Sequence, residues 1–157
     1  MVDQSNFNKE DSEDNSSYDY QVLARRYRPK NFDNLIGQTS TVRILSNAFK
    51  LNRIAHAFLF TGVRGVGKTT AARIVARGLN CLNTDNPTIA PCGKCSSCIA
   101  AANDRHVDII EIDAASHTGV DDMRELTEGV RYKPSVGRFR IYIIDEVHML
   151  SNQAFNA

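Results

Sequence analysis

Apolar residues recur at helical spacing in "TSTVRILSNAFKLN" (39–52), where Val42, Leu45 and Phe49 share one side with Ile44, Ala48 and Leu51 beside them. This period predicts a helix opening at Thr39 or Ser40, either of which can act as its cap. "HAFLFTG" (56–62) follows, a short apolar run closed by a glycine, and predicts a strand. "KTTAARIVARGLN" (68–80) returns to the helical period, and "CIAAANDR" (98–105) predicts a short helix. "HVDIIEID" (106–113) and "RFRIYIID" (138–145) predict two more strands, nearly continuous in apolar character and each ending in aspartate. Runs of this kind suit parallel strands covered on both faces. Between them, "VDDMRELTEGVR" (120–131) predicts a helix whose first turn carries Asp121 and Asp122 at the positive end of its dipole. "SNQAFNA" (151–157) begins one more, with Ser151 as its cap. No internal repeat interrupts the alternation, which predicts an α/β protein with a parallel sheet and helices on both faces.

Composition narrows this picture. A chain of 157 residues, 42% hydrophobic and 24% charged, can bury one core and reads as globular. No apolar run approaches ~18 residues, so no membrane span is expected. The N-terminus lacks the basic-then-apolar pattern of a secretion signal. A cytoplasmic location follows as the expectation, and there four cysteines serve more readily as thiolates than as disulfides. The net charge of +1 hides an asymmetry: residues 1–20 carry six acids against Lys9 alone, which leaves the remainder at +6. The acidic, Ser- and Asn-rich segment 1–17 is expected to be a disordered tail. The mildly basic remainder permits a nucleic-acid partner.

Three clusters carry chemistry. Gly62-Val63-Arg64-Gly65-Val66-Gly67-Lys68-Thr69 fits G-x-x-x-x-G-K-[ST], with an apolar run before it and a helical pattern after it. Glycines let the backbone wrap an anion with its N–H groups inward, and the helix opening at Lys68 adds its own free N–H groups. Lys68 then neutralises β- and γ-phosphates, and the Thr69 hydroxyl ligates Mg²⁺. The second cluster is Asp145 and Glu146 in "IYIIDEVHML", at the carboxyl end of a strand, where parallel sheets bind ligands. Asp145 can hold Mg²⁺ and Glu146 can take a proton from an attacking water; His148 nearby is assigned no role. The third is Cys81, Cys92, Cys95 and Cys98, spaced C-x₁₀-C-x₂-C-x₂-C and using every cysteine of the chain. Four thiolates suit a closed, structural Zn²⁺ site. A redox CxxC pair or ordinary buried cysteines are the competing readings, although no thioredoxin-like unit flanks them.

Taken in order, the glycine loop, the cysteine insertion after its helix, "DAAS" and "IDEVHML" closely resemble the N-terminal part of the bacterial DNA polymerase III gamma/tau family, clamp-loader ATPases of the AAA+ class. "YQVLARRYRPKNFDNLIGQ" resembles the start of the same family, so the likeness covers roughly residues 18–157. The resemblance implies the first part of a P-loop NTPase (AAA+) domain at 18–157, with a small zinc-binding insertion at 81–98. It implies a motor subunit of a five-membered ring that opens a sliding clamp and sets it on primer-template DNA. Gly62–Thr69 would grip ATP, Asp145 would hold Mg²⁺ and Glu146 would position the water. Residues 22–38 would lie against the adenine, and "DAASHTGVDD" (113–122) would face DNA. The family commonly has Arg or Asn where this chain has His117.

The family module continues into two further strands, a sensor residue, an arginine finger and a helical lid, none of which lies within these 157 residues. Its sheet order, 5-1-4-3-2, would place the strand at 56–61 between two neighbours this sequence does not contain. An incomplete sheet is therefore expected, and the isolated chain is expected to be loosely packed and to hydrolyse ATP negligibly. Two other readings stand beside the loader. One is a different AAA+ ATPase. The other is a zinc-containing nucleic-acid-binding module with a vestigial nucleotide fold, using Arg25, Arg26, Arg28 and Lys30 as its contact patch.

Overall fold

A computed structural model describes residues 23, 27–116 and 119–156. The acidic segment 1–17, Arg25, Arg26 and His117 lie outside the described residues. After a single 3₁₀ turn at Phe32–Asn34, the elements run α1 (Thr39–Lys50), α2 (Lys68–Leu79), α3 (Ser96–Ala102), β1 (Ile109–Asp113), α4 (Val120–Val130), β2 (Ile141–Asp145) and α5 (Asn152–Phe155). Strands β1 and β2 pair in parallel, with Ile109 opposite Ile141 and Asp113 opposite Asp145. Both strands therefore deliver their terminal aspartates to the same edge.

The core gathers Phe32 of the 3₁₀ turn, Leu45 and Phe49 of α1, and Ala71, Ile74, Val75 and Leu79 of α2. The apolar spacing of both helices turns these side chains toward each other. Ile141 packs against that core, so α2 covers one face of β2. On the alternate face, Gly129 of α4 approaches the Tyr142 hydroxyl so closely that a Cβ would lie 2.8 Å from it. A second close approach lies at Gly78, where an added Cβ would stand 2.1 Å from the Thr88 carbonyl oxygen. Only a glycine lets the loop after α2 fold back across the helix there.

One expectation holds and two are revised. First, residues 57–61, expected to lack both neighbours, join no ladder among the described residues. Phe58 and Phe60 sit on one side, ring centroids 6.4 Å apart; Phe60 reaches the core while Leu59 is 78% exposed. A strand is defined by a neighbour in register, and among the described residues this apolar run has none. Second, the strands are half covered rather than buried on both faces: Ile143 is buried and Ile144 is exposed. The cause is the same, since two strands offer too little sheet to sandwich. Third, α1 is preceded by Gln38, without a side-chain cap bond, rather than capped by Thr39 or Ser40. Gln38 instead donates from Nε2 to the Val66 carbonyl (3.1 Å) and accepts from the Thr41 hydroxyl (3.1 Å), tying α1 to the glycine loop. Ser151 does cap α5, its Oγ accepting from the Ala154 N–H. No helix among the described residues is long and apolar enough to cross a membrane.

Candidate functional site

The glycine loop takes backbone conformations that side chains resist. Gly65 has φ +82° and Gly67 φ +98°, and an added Cβ on Gly67 would also press Leu35 at 3.2 Å. Gly67 turns the chain directly into α2, so the first free N–H groups of that helix open toward the loop. Lys68 Nζ donates back to the carbonyls of Gly62 (3.0 Å) and Val63 (3.2 Å), which holds its ammonium across the loop. Val63 and Arg64 are exposed at the loop tip, and Val66 is half-buried. Alongside runs a groove of about 250 Å³ lined by Gln38, Ile44, Phe58, Phe60 and Lys68 among others.

Thr69 and Asp145 meet. The Thr69 hydroxyl donates to Asp145 Oδ2 at 2.9 Å across 76 residues of sequence. A hydroxyl and a carboxylate at that separation are both hard oxygen donors, and they fit a Mg²⁺ that keeps part of its water shell. Asp145 Oδ1 accepts the Glu146 N–H at 3.0 Å. Glu146 has φ +50° and ψ +40°, left-handed backbone that a non-glycine residue adopts only under strain. Its carboxylate Oε2 lies 3.5 Å from His148 Nδ1.

The four cysteines also converge, their Sγ atoms all lying within 4.8 Å of one another. Tetrahedral zinc with Zn–S bonds of about 2.3 Å requires sulfurs about 3.8 Å apart, so this donor set fits that metal after slight contraction. Backbone N–H groups already point at sulfur: Lys94 and Cys95 donate to Cys92 Sγ (3.4 and 3.3 Å), and Cys98 to Cys95 Sγ (3.4 Å). The N–H groups of Lys94 and Cys95 lower the Cys92 thiol to about 6. Burial opposes ionisation of Cys95, yet the N–H groups of Cys98 and Leu82 outweigh it and lower that thiol too. Burial raises Cys98, which is fully enclosed. All four cysteines are free thiols.

Sequence reasoning passed over a fourth cluster. Asn80, Ser97, His106 and Asp108 are the buried polar side chains among the described residues, and they lie around the start of the two strands. Asp108 accepts the N–H groups of Ser135, Val136 and Gly137, each at 2.7 Å. Burial disfavours its charge, but these three donors prevail and hold its carboxyl below the usual range. His106 Nδ1 accepts the Asp108 N–H (3.1 Å), which leaves its proton on Nε2 to be donated to Ser97 Oγ (2.9 Å). Asn80 Nδ2 donates to the Phe139 carbonyl (2.8 Å) while its Oδ1 accepts the Phe139 N–H (2.9 Å). Arg138 donates to the carbonyls of Cys81 (2.7 Å) and Thr84. Two signals were present: an aspartate interrupting the apolar run "HVDII", and an asparagine closing an otherwise apolar helix end.

A glycine loop feeding a helix, joined by a hydroxyl–carboxylate contact to the end of a parallel strand, marks an α/β protein whose loop and strand-end aspartate meet at one sheet edge. The family model described as DNA polymerase III, delta subunit, matches residues 37–157, and the chain belongs to that family. The chain is similar to DNA polymerase III subunit tau/gamma of Haemophilus influenzae, 55% identical over 138 residues, covering 88% of this chain and 20% of that protein. DNA polymerase III subunit tau of Escherichia coli is 53% identical over 138 residues, covering 88% of this chain and 21% of its own length. DNA polymerase III subunit gamma of Buchnera aphidicola subsp. Baizongia pistaciae is 52% identical over 137 residues, covering 87% and 36%. The chain thus spans about a fifth of the first two relatives.

Proposed function

We propose that this chain forms the nucleotide-binding part of a clamp-loader ATPase of the AAA+ class. The observation that carries the reading is the Thr69–Asp145 contact, which joins the two ends of a phosphate-and-metal site. Gly62, Val63, Arg64, Gly65, Val66 and Gly67 wrap the phosphates of ATP with their N–H groups. Lys68 exchanges its two carbonyl partners for the β- and γ-phosphates, a stronger, charge-assisted contact. Thr69 and Asp145 would hold Mg²⁺, which when bound offsets phosphate charge in transfer chemistry. Glu146, held in a left-handed turn directly after the strand, takes the proton of the attacking water. Cys81, Cys92, Cys95 and Cys98 hold a structural zinc and stand apart from that chemistry.

The relatives' identity as DNA polymerase III subunits supports a cytoplasmic role in DNA replication. In this reading the full protein works in a five-membered ring with other loader subunits and places a sliding clamp on primer-template DNA. Residues 18–157 supply the first part of its ATPase domain, with 81–98 as the zinc insertion and 1–17 as an acidic tail. In the full chain, Lys68→Ala should abolish ATP-dependent clamp loading, because phosphate charge is left unanswered. Glu146→Gln should keep ATP binding and slow hydrolysis by about 10²–10⁴-fold. Loading at the wild-type rate by Lys68→Ala would refute the assignment.

A further inference from the structure

The Thr69–Asp145 contact joins the start of α2 to the far end of β2. Nothing in that contact alone fixes how far β2 slides along the helix. The other ends of the same two elements are joined as well. Asn80, directly after α2, is fully buried and engages both backbone groups of Phe139, just before β2. From Thr69 to Asn80 the helix climbs about 16 Å. From Phe139 to Asp145 the strand runs about 20 Å. Helix and strand are therefore pinned at both ends like two rails, and the pin at the Asn80 end sets where Asp145 arrives at the other.

The surroundings make this pin directional. An amide that both donates to and accepts from one residue rejects a slide by one residue, which offers neither group, and the next equivalent position lies two residues, or about 7 Å, away. Gly137 packs against it so tightly that an added Cβ would lie 2.6 Å from Asn80 Nδ2. Asp108 holds Gly137 from the other side through its N–H. Arg138 grips the carbonyls of Cys81 and Thr84, which anchors the pin to the cysteine cluster.

We infer that Asn80 is a positioning residue for the metal end of the site: its double hydrogen bond to Phe139 sets the register of β2 on α2, and thereby the meeting of Asp145 with Thr69. This rests on the nucleotide–Mg²⁺ reading proposed above. Asn80 touches neither nucleotide nor metal, so its loss should weaken the metal subsite and spare the lysine grip on phosphate.

The test measures binding of a fluorescent ATP analogue to the full chain, once while Mg²⁺ is titrated and once in EDTA. For Asn80→Leu, branched like asparagine but unable to make either bond, the Mg²⁺ concentration at half-saturation should rise by about tenfold, since small misplacements at such sites are costly. Affinity in EDTA should change less than about twofold, as the glycine loop is untouched. Gly137→Ala, which displaces Asn80 by contact, should move Mg²⁺ dependence in the same direction and guards against Asn80→Leu failing to fold. The double variant should be no worse than the more severe single one, because both act through one contact. Unchanged Mg²⁺ dependence in both variants, or equal losses with and without Mg²⁺, would overturn the positioning role. A wild-type chain without any Mg²⁺-dependent nucleotide binding would instead remove the site reading, and this inference with it.

Discussion

At the entry end of the β1–β2 pair, Asn80, Ser97, His106 and Asp108 are enclosed and each is hydrogen-bonded. At the exit end, Glu146, the tip of the glycine loop and Leu59 stand open to solvent, and Glu146 is held in left-handed backbone. Both ends are rich in polar chemistry, so polarity does not separate them; access does. A buried polar group destabilises unless every bond it gave up to water is replaced, and the entry end replaces them. A site that must admit a ligand cannot be sealed that way, and it leaves donors such as Lys68 on exchangeable partners. Strain at Glu146 is tolerated because the framework below is over-determined. Stability is concentrated at one edge of the sheet so that the other can stay open.

Metal removal should divide the two ends most sharply. Chelation of the full chain under reducing conditions should speed amide exchange across 81–98 on the order of a hundredfold, and change 62–69 far less. Equal loosening of both segments would erase the distinction. Without metal, Cys92 should be alkylated first among the cysteines, its reactivity rising as pH climbs through about 6, where its N–H-stabilised thiolate forms.

Next in size is Asp108→Ala, which orphans three backbone donors in a closed site. It should cost about 3 kcal/mol by urea unfolding, given about 1–3 kcal/mol for each buried group left without a partner. The same carboxylate predicts an acid limit. Its folded-state value is depressed, so the contribution is present above the ordinary carboxylate range near pH ~4 and is lost as pH falls through the lower folded value. A chain as stable at pH 3 as at pH 7 would show that Asp108 is not what holds residues 135–137.

The glycine loop, Asp145 and the four cysteines were legible because their chemistry is written in fixed local spacings. The helices were legible from period, to within a few residues at their ends. Residues 57–61 were expected to lack both neighbours, and they join no ladder among the described residues, because a strand depends on a partner that "HAFLF" cannot announce. The buried network was missed for a related reason: Asn80 and His106 look like ordinary segment ends until Phe139 and Ser97, distant in sequence, come beside them. The Glu146 turn was equally invisible, since nothing in "DEVH" distinguishes a left-handed glutamate from an extended one.

Ser97→Ala should cost about 1 kcal/mol, the usual worth of one hydrogen bond, and its measurement by thermal unfolding calibrates the entry end. The smallest effect is expected at the exit end. Leu59→Lys should change stability by less than about 0.5 kcal/mol, because that side chain is already largely in water. A loss as large as that of Asp108→Ala would mean that Leu59 is covered in solution and that the contrast between the ends is false.

The convergence of Cys81 and Cys98 has a consequence for the path of the chain. The polypeptide leaves α2, makes its excursion and comes back to nearly its point of departure before α3, as the clustering of the sulfurs requires. A detour with a shared entrance and exit can be shortened without redirecting what comes before or after it. A short linker in its place should leave the connection from helix to helix intact. What it would remove are the carbonyls of Cys81 and Thr84 that Arg138 holds, so the shortened chain would keep its route and lose a handhold on β2.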